Sequence, residues 1–354
     1  FQPTAVFEPG SVDAANSADL NSRSRITLDD GRTSSNPDPA IHPNGAEFDL
    51  DNLFRGGDLV TDATGVMDFA FGSYKVQPTQ GADYTAVNDR PATPEPVGGS
   101  LTVASFNVLN YFNTLDYPFG DPRDNACGPN QDQGCRGADN ENERTRQLDK
   151  IVAAMAVMDT DVLGIIEVEN TTGVEAMDDI VGELNDVAGA GTYDYIDTGT
   201  VGDDVIKVGF IYQPGSVTPV GDFAVLDDPA FVAPFGVDRN RAALAQTFVE
   251  NATGGKFTAV VNHFKSKGSP CGPGDDDPET GSCNLTRTVS AQVLADWLET
   301  DPTGSGDPDV MIIGDLNSYD KEDPIDVLTA EGYVDLLGLY QGEFAYSFVF
   351  SGEF

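Results

Sequence analysis

Short β-branched runs at residues 101–104, 162–165, 257–261 and 310–313 are uninterrupted by charge, the pattern of strands buried on both faces. Between them lie stretches of helical periodicity. Residues 140–158 carry Leu148, Ile151, Val152, Met155 and Val157, and residues 285–298 carry Val289, Val293, Leu294 and Trp297 on one stripe. A third helix is expected at 174–187. Strands alternating with helices predict a layered α/β unit over residues 98–354. The first 97 residues read differently. They are rich in turns, with strands expected at 24–28, 58–60 and 65–76, the last alternating around a Gly72-Ser73 turn as a hairpin does. A smaller all-β unit is therefore expected over residues 1–97, joined to the rest by the Pro- and Gly-rich residues 91–99 as an extended linker.

Each buried run of the α/β region ends in polar residues: Ser105-Phe106-Asn107, Ile166-Glu167, Asn262-His263-Phe264 and Gly314-Asp315-Leu316-Asn317. Together they supply two carboxylates, three carboxamides and an imidazole, the inventory for a hard divalent cation plus a histidine that contacts a phosphate. Glu167 is the first choice of metal ligand, with Glu169 competing, and Asn107 or Asn110 is expected to turn inward beside it. Asp315 and Asn317 alternate with Leu316, so both face the same side of the departing chain. Singly these patterns are ordinary turn caps and solvated strand ends. Their weight lies in the set. His263 is the only histidine of the region and is followed by Lys265 and Lys267, a clustering of cations that suits an anionic group. The plain alternative is a buried structural histidine beside surface lysines. Arg287, at a helix start, is a further phosphate-binding candidate, or else an ordinary surface arginine.

Charge changes the picture most. The chain of 354 residues has 59 acidic and 19 basic residues, a net charge of −40, spread along its whole length. Acidity throughout an otherwise globular composition suits a surface adapted to high salt, since at about 1 M ionic strength the Debye length falls to roughly 3 Å. Recurrent apolar runs argue against disorder. No stretch approaches the roughly 20 apolar residues that span a bilayer. The four cysteines fall in two close pairs, Cys127 with Cys135 and Cys271 with Cys283, inside Gly- and Asp-rich loops. Local disulfides and an oxidising, extracellular setting are expected, because the spacing and the two histidines of the chain do not suit zinc.

The strings at residues 104–112, 167–170, 262–268 and 314–319, in this order and at these intervals, resemble the endonuclease/exonuclease/phosphatase (DNase I-like) superfamily, in particular its secreted bacterial and archaeal nucleases. Residues 65–79 resemble the β-rich region that precedes the catalytic domain in those nucleases; an OB-like barrel is its candidate form. The resemblance implies a four-layer α/β sandwich and a salt-adapted phosphodiesterase acting on DNA, or on DNA and RNA. It implies that Asn107 and Glu167 hold Mg2+ or Mn2+, that His263 contacts the scissile phosphate, and that Asp315 and Asn317 orient the attacking water. Tyr212, with Lys207, matches a family strand and joins Lys265, Lys267 and Arg287 as a substrate-binding candidate. The family's later Asp and C-terminal Ser-Asp-His are missing from the sequence, so the catalytic unit is expected to continue beyond Phe354. The other readings are a lipid or sugar-phosphate phosphodiesterase of the same fold, and a catalytically silent extracellular module whose acidic loops hold structural Ca2+.

Overall fold

The computed structural model describes residues 2–349 apart from 33–36, 38, 50, 90, 344 and 346. The chain divides into two units, one built mainly from residues 10–92 and the other from residues 4–9 and 93–345. In chain order the elements begin with α1 (Pro3–Val6), α2 (Val12–Arg23), β1 (Thr27–Leu28), β2 (Leu59–Thr61), β3 (Gly65–Ala70), β4 (Ser73–Pro78) and β5 (Asp83–Thr85). Strands β3 and β4 form the expected hairpin, but its two turn residues are Phe71 and Gly72, both at positive φ, and Ser73 already pairs with Ala70. Positive φ at both positions is what a tight hairpin connection requires.

The expectation of an all-β first region is not met. Ser11 accepts a hydrogen bond from the Ala14 N–H and caps α2, whose first turn carries Asp13 and whose last carries Arg23. This helix buries only Ala14, so it leaves almost no apolar periodicity to read. Among the described residues the strands form a three-stranded sheet, β1-β4-β3, and a two-stranded one, β2-β5, which is not an OB-like barrel.

The larger unit continues with β6 (Val103–Tyr111), α3 (Glu141–Met158), β7 (Val162–Glu169), α4 (Ala176–Ala188), β8 (Asp194–Tyr195), β9 (Ile206–Tyr212) and β10 (Val217–Leu226). It ends with α5 (Pro229–Val232), β11 (Ala243–Glu250), β12 (Lys256–His263), α6 (Asn284–Leu298), β13 (Val310–Asp315), α7 (Asp323–Ala330) and α8 (Leu336–Gln341). Two four-stranded sheets result, β6-β7-β9-β8 and β10-β11-β12-β13. Val162, Ile166, Val208 and Phe210 of the first pack against Leu244, Phe248, Ala259 and Val261 of the second, which makes the inner core. On the outside of the first sheet, Leu148, Ile151, Val152 and Met155 of α3 join Met177, Ile180 and Leu184 of α4. Ala291, Leu294, Ala295 and Leu298 of α6 with Leu328 of α7 cover the second. The order helix, sheet, sheet, helix is the four-layer α/β sandwich. Gly164 marks how close the sheets lie: a Cβ there would come within 2.7 Å of Ile313 Cδ1.

Both expected disulfides form, Cys127–Cys135 and Cys271–Cys283. The strand-like run at 346–350 lies partly outside the described residues, and residues 347–349 take no strand conformation.

Candidate active site

Strands β6 and β7 run parallel, as do β12 and β13, so their C-terminal ends bring four polar patterns to one edge of the sandwich. At that edge the first sheet is deliberately irregular. Asn107 pairs with Ile166, but the ladder resumes only at Tyr111 with Val168, and the β7–β9 pairing also breaks between Ile166 and Val168. Glu167 therefore sits between two interrupted ladders with φ +68°, and Leu109 and Asn110 opposite are also left-handed. Such backbone costs of order 1–3 kcal/mol per residue and clusters where a side chain must be aimed. Glu167 is the only residue of β7 that is not fully buried.

Three hydrogen bonds hold this arrangement. Asn107 Oδ1 accepts from the Leu109 N–H at 2.8 Å, Glu167 Oε2 accepts from the Asn110 N–H at 3.1 Å, and the Asn107 side chain bonds Asp315. On the second sheet, His263 pairs with Asp315 and Asn262 with Gly314. Gly314 has φ +118°, and a Cβ there would lie 2.2 Å from the Asn262 carbonyl oxygen, so the close strand approach requires glycine. Asn317, also left-handed, donates its N–H to Asp315 Oδ1 at 2.9 Å and its side-chain amide to the Phe264 carbonyl at 3.0 Å.

The two sheets meet at Glu167 and His263, whose Oε1 and Nε2 are 3.7 Å apart. Asn107, Glu167, His263, Asp315 and Asn317 are thus brought together, as the sequence patterns suggested. Burial pushes the Asp315 carboxyl up, and the charge of Glu167 adds to that; hydrogen bonds from Asn317 and Asn107 pull the other way. His263 is buried, and burial followed by the charges of Arg241, Lys265 and Arg136 holds it well below the ordinary histidine value, so its ring is neutral. Its Nδ1 has no hydrogen-bond partner among the described residues. Lys265 is likewise lowered, first by burial and then by Arg241 and Arg239.

Arg241 was not singled out from the sequence. Its Nε donates to Asp204 at 3.0 Å, while its Nη1 is buried with no partner among the described residues. The signal was present in Arg239-Asn240-Arg241, two cations within three residues of a chain that has only twelve arginines, just before a buried strand.

The structure corrects several expectations. Glu169 is buried and accepts from the Asn113 and Thr114 N–H groups, so it anchors the chain after β6 and leaves Glu167 as the ligand candidate. Tyr212 pairs with Val162, at the opposite end of β7 from Glu167, because β9 runs antiparallel to β7; five strand steps make the separation roughly 16 Å. Its hydroxyl donates to Asp194. Lys207 is buried against Glu175 and the Gly199 carbonyl. Arg287 is fully buried and donates to Ser318 Oγ and to the carbonyls of Lys265, Ser282 and Thr280, a structural clamp in place of a phosphate contact. Lys267 is paired with Glu322 at 2.5 Å, the two side chains 8% and 0% exposed. Only Lys265 of the four substrate-binding candidates stays beside His263.

The acidic loop offered for Ca2+ is also occupied from within. Asp275 accepts from Thr286, Asp276 from the N–H groups of Cys271, Gly272 and Cys283, and Asp277 from those of Glu279 and Thr280. The one grouping of His, Cys, Asp and Glu ligand atoms within 4.8 Å among the described residues is Cys271, Asp276 and Cys283, whose sulfurs are joined to each other. At the active edge the donor set does fit a divalent ion. Glu167 and Asn107 offer hard oxygens, and two neighbouring carboxyls of which one is pushed up by the other's charge are relieved by a cation.

A model of the Endonuclease/Exonuclease/phosphatase family matches residues 102–335. No curated protein gave a match. Similar solved structures include an endonuclease/exonuclease/phosphatase family protein from Bacteroides thetaiotaomicron, 16% identical over 66% of this chain and 69% of that one, TM-score 0.40. Another from Bacteroides vulgatus is 20% identical over 66% and 72%, TM-score 0.39. D. rerio TDP2 complexed with a single-strand DNA product is 14% identical over 67% and 66%, TM-score 0.37. Likeness at these TM-scores adds nothing to the family match.

Proposed function

This chain belongs to the endonuclease/exonuclease/phosphatase family, and on that premise we propose that it is a secreted, metal-dependent nuclease of low sequence specificity, hydrolysing DNA or both DNA and RNA in a high-salt medium. The observation that carries this reading is the convergence of Asn107, Glu167, His263 and Asp315 at one sheet edge, with Lys265 and Arg241 beside them. Glu167 and Asn107 would hold Mg2+ or Mn2+, which when bound supplies positive charge to the phosphate oxygens. The neutral His263 ring donates a hydrogen bond to a non-bridging oxygen, and Arg241 and Lys265 stabilise the negative charge that grows there. Asp315 orients the attacking water and draws its proton, a role suited to a carboxyl raised above the ordinary range. The hydrogen bonds from Asn317 fix that carboxyl and the His263-Phe264 turn together. Two disulfides support an oxidising compartment.

A net charge of −40 repels a polyanion, so nicking should rise with salt, opposite to the usual weakening of nucleic-acid binding. Plasmid nicking with Mg2+ or Mn2+ from about 0.1 M to several molar NaCl tests both statements. Metal-dependent nicking that strengthens with salt is expected. Nicking that is unaffected by chelator, or that falls steadily with salt, would refute the metal or the salt part respectively.

A further inference from the structure

A cavity of about 170 Å³ lies beside the active edge, walled by Gln133, Arg136, Asp203, Asp204, Asp238 and Arg239. Its wall is bonded to residues of the site. Asp204 accepts from Arg241, and Asn240, on the same wall, accepts from the Lys265 N–H at 2.6 Å. None of these wall residues has a part in the hydrolysis described above.

The wall sets two guanidiniums against three carboxylates. An anion would meet an excess of carboxylates, and a metal ion would meet two cations. The composition instead suits a neutral group that donates on one side and accepts on the other. Open valences exist for both. Arg136 reaches Asp204 only at 3.6 Å, too long for a hydrogen bond, whereas the Arg239 guanidinium is held by the Cys271 carbonyl at 2.9 Å and lies 3.5 Å from Asp275. Asp238 is raised by burial and by the charges of Asp203 and Asp204, so donors brought to it would relieve all three.

Resting on the nucleic-acid reading above, we infer that this cavity holds the base next to the cleaved phosphate and that guanine fits it best. One edge of guanine presents N–H donors for Asp238 and Asp203, and the other presents O6 and N7 for the fork of Arg136. Thymine and uracil offer one donor, and cytosine lacks the ring N–H of that edge.

The test is cleavage of a random-sequence oligonucleotide with Mg2+, sequencing the cut ends, alongside turnover of the baseless diester bis(4-nitrophenyl) phosphate. Guanine should exceed thymine beside the cut at least about fivefold, the lower end of a bidentate base contact. Asp238→Asn, or Asp203→Asn should the first variant melt early, should flatten that bias and leave baseless turnover unchanged. Hydrolysis of both substrates without base bias overturns the pocket and leaves the hydrolase reading standing. Failure to hydrolyse any diester overturns the hydrolase reading, and the pocket is then judged by calorimetry: GMP should bind more tightly than TMP, and only when Asp238 is intact. GMP no tighter than TMP, or a hexose 6-phosphate tighter than GMP, overturns it.

Discussion

Replacing Lys267 by methionine separates a structural cation from a substrate-binding one. The Lys267 ammonium lies 2.5 and 2.6 Å from the two oxygens of Glu322, which is buried and also accepts from Thr4 Oγ1 at 2.8 Å. Lys267→Met leaves that carboxylate uncompensated in the interior, which typically costs about 3–5 kcal/mol. At roughly 2–4 °C per kcal/mol for a unit of this size, the melting temperature should fall by about 6–20 °C. The double variant Lys267→Met/Glu322→Leu removes both charges and should recover most of the loss, since a buried pair is often worth little against an apolar replacement. Burial, partly offset by Glu322, pushes the Lys267 ammonium down to about 8. Between there and the ordinary lysine value the unfolded chain binds the proton that the folded one has released, so stability should rise with pH across about 8 to 10.5. That increment should vanish in Lys267→Met. Thermal melts by circular dichroism over pH 7–10.5, with catalytic rates below the transition, decide the matter. An unchanged melting temperature with a raised KM would refute the reasoning and restore Lys267 as a phosphate contact.

Arg287→Met removes a fully buried side chain and its donors to four oxygens and should lower stability by about 3 kcal/mol, read by urea titration; a stable variant with a raised KM would show that the side chain binds substrate instead. Gly314→Ala should cost roughly 1–3 kcal/mol from backbone conformation alone and should depress kcat further by pushing Asp315 off its position beside His263; wild-type kcat would contradict the close approach. Gly164→Ala should destabilise by about 1–3 kcal/mol through overpacking between the sheets, with little change in kcat below the melting transition.

The α/β layering was legible because buried strands and amphipathic helices leave opposite periodicities, and the site because polar residues after fully apolar runs have few structural reasons to be there. Helix α2 was not, since a helix with one buried residue carries no stripe. The choice between Glu167 and Glu169 was open in sequence, and it turns on a doubly interrupted ladder that no local pattern encodes. Lys267 was read as a cation near a histidine and Arg287 as one at a helix start, both available for substrate in an acidic chain. Their partners, Glu322 for the first and the carbonyls of Lys265, Ser282 and Thr280 for the second, depend on how the loops before α6 and α7 fold back. Arg241 precedes β11, and a cation before a strand carries no local sign that it turns toward the edge where the other strands end.

The most direct test of the site is the rate of Mg2+-dependent plasmid nicking by Glu167→Gln and Glu169→Gln, each measured below its own melting temperature and compared with wild type. Loss of a metal ligand should cost Glu167→Gln about 100-fold or more in rate at little cost in stability, while Glu169→Gln should melt earlier yet nick within about tenfold of wild type. The reverse ranking, or wild-type nicking by Glu167→Gln, would contradict the account.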